Sequence, residues 1–135
     1  METLLIKATY NTPEVVFDAE NNILEISGKS MPENILTFYN PVLEWLDTYC
    51  SNPNPVTVLV IKLNYFNSTT KKMILVILRK LEKINGNGRN VSVKWYYAKD
   101  QSNMLEEGEE YADLVRIPFE YVVIKHQHNL DMSPG

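Results

Sequence analysis

The chain has 135 residues, 44% hydrophobic and 22% charged, with a formal net charge of −4; this composition fits one globular domain with a single core and argues against disorder. An acidic chain without a basic stripe is not expected to bind nucleic acid. The longest apolar run, residues 73–78, is too short to cross a bilayer, and residues 1–3 carry no basic leader, so no membrane insertion and a cytoplasmic location are expected.

Residues 4–8 and Glu14–Asp18 have strand character, and Asn21 and Asn22 form a turn into a third strand at 23–26. Gly28 and Pro32 mark residues 27–32 as loop, because both break regular patterns. A helix is predicted over 34–49, where Ile35, Phe38, Val42, Trp45, Leu46 and Tyr49 recur every three or four residues. Pro41 lies inside it and lacks an amide hydrogen, so either the helix kinks or Asn40 caps a second segment. Cys50 is the single cysteine, which excludes an intramolecular disulfide, and in this apolar segment it is expected to be a buried thiol. Residues 52–55 end the helix, and the β-branched run 56–63 predicts a central strand covered on both faces.

Asn67 and Ser68 offer capping oxygens before a strong helix predicted over 69–84, whose core face is Met73, Ile74, Ile77, Leu78, Leu81 and Ile84. The Asn-Gly-Asn-Gly run at 85–88 closes it. Residues 91–96 alternate as a strand, 104–115 form a third helix with an acidic face, Pro118 stops it, and 119–124 form a last strand. Residues 129–135 are expected to be a flexible tail behind a single domain spanning 1–128. The order of elements predicts an α/β domain: one mixed sheet, partly parallel, with about three helices packed on it.

Few groups suit catalysis. His126 and His128 alternate near the chain end, but a metal site usually takes three or four ligands, so neither metal nor cofactor is expected. No glycine-rich phosphate loop occurs, which leaves nucleotide binding without support. Glu106, Glu107, Glu109 and Glu110 fan over one side of the third helix. A small carboxylate-dependent enzyme would need two such groups flanking a cleft, and nothing signals one. Gly108 falls on that helix's apolar side with Met104 and Tyr111; because glycine costs a helix about 1 kcal/mol against alanine, it suggests close backbone approach to the sheet or to a partner. Trp95, Tyr96 and Tyr97 carry more aromatic surface than one strand face buries. Two readings stay open here: an acidic–aromatic protein-binding surface, or ordinary core beside a solvated face.

The most informative stretch is Asn67, Ser68, Thr69, Thr70, Lys71 and Lys72. One cap contributes about 1 kcal/mol and needs one oxygen, yet four candidates stand in a row. A phosphate placed here would meet free amides and a positive helix end, and would add about −1.5 to −2 charges.

Five segments in this order resemble the SiaC family of bacterial regulatory phosphoproteins. They are Ser30-Met31-Pro32-Glu33-Asn34, Tyr65-Phe66-Asn67-Ser68-Thr69-Thr70-Lys71, Trp95-Tyr96-Tyr97, Glu106-Glu107-Gly108-Glu109-Glu110 and Ile117-Pro118-Phe119-Glu120. The resemblance implies a fold like the STAS anti-sigma-factor antagonists and a non-enzymatic protein that works by partner switching. It implies phosphorylation at Ser68, where the family's best-understood branch carries Thr, with Thr69 and Thr70 as lesser candidates and Asn67, Lys71 and Lys72 as its surroundings. The implied partners are a cognate kinase, a metal-dependent serine/threonine phosphatase and a downstream effector, a diguanylate cyclase in the well-understood branch, where the output is cyclic di-GMP and biofilm. Pro32, Glu33, Asn34, Trp95, Tyr97, Glu106, Glu107, Gly108 and Glu109 are the candidate partner interface. The rival to this reading is a constitutive scaffold in which Ser68 is only a cap.

Overall fold

In the computed structural model, which describes residues 1–125, the chain runs β1 (Leu4–Ile6), β2 (Glu14–Asp18), β3 (Ile23–Ser30), α1 (Ile35–Ser51), β4 (Val56–Phe66), α2 (Ser68–Glu82), β5 (Asn90–Ala98), α3 (Ser102–Leu114) and β6 (Phe119–Ile124). The strands form one six-stranded sheet in sequence order, β1-β2-β3-β4-β5-β6. The first three are antiparallel neighbours joined by short turns, and β3 to β6 are parallel. The predicted α/β class, mixed sheet and three helices are therefore found. His126, His128 and the predicted tail at 129–135 lie outside the described residues.

The parallel half explains where the helices sit. Strand–helix–strand crossovers are right-handed almost without exception, and here each one steps to the next strand in the same direction. Every helix is then delivered to the same face. Trp45 of α1 meets Phe17 of β2 at 5.1 Å between ring centroids, Thr70 of α2 bonds Ser30 at the end of β3, and the Trp95 indole of β5 donates to the Met104 carbonyl of α3 at 2.9 Å. Between them lies the core, with Phe17, Leu24, Ile26, Leu59, Ile61, Val93 and Trp95 nearly solvent-free beneath Leu46, Ile74, Ile77 and Leu78.

Among the described residues the opposite face has no helix over it, which corrects the expectation that β4 is covered on both sides. Its register rows include Val16 with Glu25 and Val60 with Lys94, and long side chains lie across them. The Lys62 ammonium sits 3.6 Å from Glu25 and 4.7 Å from the centroid of the Tyr96 ring. Its methylene stem shields apolar surface while its charge stays wet. The β-branched run at 56–63 reflects strand propensity and one buried row, Thr57, Leu59, Ile61 and Leu63.

One boundary and one burial differ from expectation. Residues 27–30 continue β3, because Gly28 adopts φ +107° and the register against β4 slips between Gly28 and Lys29, absorbing the irregularity as a bulge. Of the two readings at Pro41, a second segment capped by Asn40 is excluded, because the helix runs through as one element. Pro41 is exposed, so the Thr37 carbonyl that loses its partner can turn to water. Cys50 is only half-buried, and burial together with Asp47 raises its thiol pKa.

Candidate functional site

The carboxyl ends of β3, β4 and β5 bring the starts of all three helices to one edge of the sheet, where open α/β sheets usually place their function. Asn34 caps α1 by accepting the Thr37 amide at 3.1 Å. Asn67 caps α2 by accepting the Thr70 amide at 3.0 Å. The start of α3, at Gln101, has no side-chain cap. Two recesses flank this edge. One, of about 440 Å³, is lined by Pro32, Glu33, Asn34 and Phe38; the other, of about 280 Å³, by Tyr65, Phe66, Gln101 and Glu107.

The three consecutive hydroxyls at the start of α2 have three different environments. Thr70 is fully buried; its Oγ1 donates to the Ser30 carbonyl at 3.0 Å and lies 2.8 Å from the Ser30 hydroxyl. Ser30 in turn bonds the Tyr39 hydroxyl at 2.7 Å, and burial pushes the Tyr39 phenol up to about 12. The Asn67 amide also donates to the Ser30 carbonyl, at 3.1 Å. Ser30, Tyr39 and Thr70 thus tie the ends of β3 and α1 to the first turn of α2 in a dry network whose members satisfy one another. Thr69 is exposed, but its hydroxyl donates to the Asn67 side chain at 3.0 Å. Ser68 is the first residue of α2, exposed, and takes no part in the cap. Of the three hydroxyls it is the exposed one outside the hydrogen bonds of this turn.

Lys71, one turn along from Ser68, also has partners on α3. Its ammonium lies 3.0 Å from Glu110 and 3.1 Å from Glu107 of α3, and these carboxylates, Glu110 foremost, raise its pKa. The Lys71 carbonyl accepts the Tyr111 hydroxyl at 2.7 Å. Tyr111 is itself shifted upward, first by burial and then by Glu107 and Glu110. Lys72 is exposed on the next position.

Two members of the proposed partner interface are corrected outright. Trp95 is solvent-free, packed edge-on or tilted against Phe66, Tyr111 and Phe119, and cannot contact a partner on this surface. Gly108 is buried against it: a β-carbon there would stand 2.7 Å from the indole. The close approach that glycine signalled is to the sheet. Pro32 is also buried, whereas Glu33, Asn34, Glu106 and Glu109 are exposed and Tyr97 and Glu107 are half-buried. The acids thus divide between an outer pair, Glu106 and Glu109, and the pair holding Lys71. Ser30 and Tyr39 were not singled out as site residues from the sequence: a serine expected in a loop and one aromatic of an amphipathic helix carry no local sign of a shared hydrogen bond.

Among the described residues no group of three His, Cys, Asp or Glu side chains is placed to hold a metal ion, and no helix is long and apolar enough to cross a membrane. The fold and this edge define a small α/β domain with an exposed hydroxyl at the start of α2. Residues 6–124 match the family described as SiaC family regulatory phosphoprotein, and the chain belongs to that family. A protein of Pseudomonas aeruginosa strain UCBPP-PA14 is 29% identical over 119 residues, which cover 88% of this chain and 94% of the relative. The solved structure of SiaC of Pseudomonas aeruginosa superimposes with a TM-score of 0.81 at 28% identity, covering 93% of this chain and all of that one. A second structure, in which SiaC of that organism is in complex with the diguanylate cyclase SiaD that it activates, matches with a TM-score of 0.84 at 28% identity over 90% of this chain and 99% of that one.

Proposed function

We propose that this chain is a non-catalytic, partner-switching regulator whose binding to an effector is set by reversible phosphorylation of Ser68. The observation that carries the reading is the division of labour in the first turn of α2: Asn67 does the capping and Thr70 the anchoring, while Ser68 stays exposed. A cognate kinase would add the phosphate and a metal-dependent serine/threonine phosphatase would remove it. The effector proposed is a diguanylate cyclase, by analogy with the complex of SiaC and SiaD, with cyclic di-GMP as the output.

The physics of the switch favours discrimination without unfolding. A phosphate on the first helical residue meets the positive end of the helix, an interaction worth about 0.3–1 kcal/mol. A partner docked over the same edge would have to bury a group carrying about −1.5 to −2 charges. Without a matched cationic pocket that costs several kcal/mol, and roughly 3 kcal/mol already corresponds to a hundredfold loss of affinity. The test is calorimetric titration of a diguanylate cyclase from the same cell with unmodified and stoichiometrically Ser68-phosphorylated protein, alongside circular dichroism. Tight binding of the unmodified form, weak binding of the modified one and identical spectra are expected. Equal affinities would refute the switch.

A further inference from the structure

We propose that Lys71 reports the state of Ser68 to α3: a phosphate on Ser68 draws the Lys71 ammonium off Glu107 and Glu110 and loosens the middle turns of that helix. The inference rests on Ser68 being the modified residue and adds the route by which the modification would reach a second element. Ser68 and Lys71 are three positions apart on α2, so their side chains leave the same face about 5–6 Å apart at Cβ. In the unmodified protein Lys71 bridges to α3 with its side chain at 3.0 and 3.1 Å and with its carbonyl at 2.7 Å. The side-chain contacts are half-exposed, the kind of ion pair that a stronger acceptor readily displaces. A phosphate brings about as much charge as the two carboxylates together, concentrated on three acceptor oxygens of one group and carried on the same helix as the lysine.

The receiving end is built to respond. Glu107 Oε1 is buried without an aligned hydrogen bond and has Lys71 as its cation. When Lys71 swings to the phosphate, Glu107 and Glu110 are left facing a more negative surface. The two carboxylates then repel the modified turn, and α3 opens more often around them. Glu106 and Glu109 share that helix with them, so a change at Ser68 becomes a change in an acidic surface one helix away.

The experiment installs phosphoserine at position 68 by genetic encoding, which makes it independent of any kinase, and follows amide hydrogen exchange across α3. The expected result is exchange about two- to fivefold faster in residues 105–112 of the phosphorylated protein, as befits the loss of a half-exposed ion pair. The same acceleration should occur in unphosphorylated Lys71→Met, with little further change when that variant is phosphorylated; Lys71→Arg should respond as the parent does. No acceleration in the phosphorylated parent overturns the relay. Equal acceleration on phosphorylating Lys71→Met overturns it as well, since the phosphate would then act on α3 without the lysine. Absence of phosphate on Ser68 in the native host would instead sink the functional reading and leave this physical property of the modified chain in place.

Discussion

Ser68 and Thr70 stand two residues apart on α2, and Gly108 and Glu109 are neighbours on α3, yet each pair is split between two environments. Thr70 and Gly108 face the sheet, one locked to Ser30 and the other pressed on Trp95. Ser68 and Glu109 face water. The inward members fix where the two helices start and how closely they lie. The outward members can then carry a charge, or acquire one, without disturbing that placement. A regulator that must change its surface and keep its fold needs both kinds of residue within one helical turn.

The largest effect should come from Gly108→Ala. On an ordinary helix this change stabilises by up to about 1 kcal/mol; here the new methyl meets a buried indole at 2.7 Å, and overpacking should reverse the sign, to a loss of about 2–3 kcal/mol in urea denaturation. A stabilised variant would show that α3 is not seated on Trp95. Thr70→Val comes next. It keeps the shape and removes one hydroxyl from the Ser30–Tyr39 network, so about 1–2 kcal/mol should be lost.

A smaller effect appears in alkali. The Tyr39 pKa is raised to about 12 by burial, so above pH 10 the unfolded chain releases a proton that the folded chain keeps. The unfolded state then binds fewer protons, and stability falls as pH rises. The fall should reach on the order of 1 kcal/mol by pH 11, from this group alone, and Tyr39→Phe should remove that share of the slope. A slope unchanged in Tyr39→Phe would mean that the phenol is not held neutral by burial. The smallest effects belong to the outward residues: Ser68→Ala, Glu106→Gln and Glu109→Gln should each stay within about 0.5 kcal/mol of the parent. A loss of 2 kcal/mol at Ser68 would erase the contrast with Thr70.

Much of this arrangement was legible in the sequence. Periodicity located all three helices, the Asn-Ser-Thr-Thr run marked the start of α2, and the order of elements implied parallel crossovers. The glycine of α3 announced a close approach, though its partner was left open between sheet and protein. What local pattern could not disclose were the pairings made at a distance. Lys71 looked like a cation beside a phosphate because its sequence neighbours are hydroxyls; only folding brings Glu107 and Glu110 to it. Trp95 looked like spare aromatic surface because the helix that covers it comes later in the chain. Ser30 was hidden for the same reason, its partners lying on α1 and α2. The one-sided covering of the sheet, too, follows from strand order, which no single segment encodes.

The most direct test of the central claim is site-resolved mass spectrometry of the protein purified from its native host, beside the Ser68→Ala variant expressed at the same level. The account predicts phosphate on Ser68 in the parent and none on the variant, because Thr70 is buried in its network and Thr69 is engaged with Asn67. Phosphate on Thr69 or Thr70, or a parent that is never phosphorylated, would contradict it.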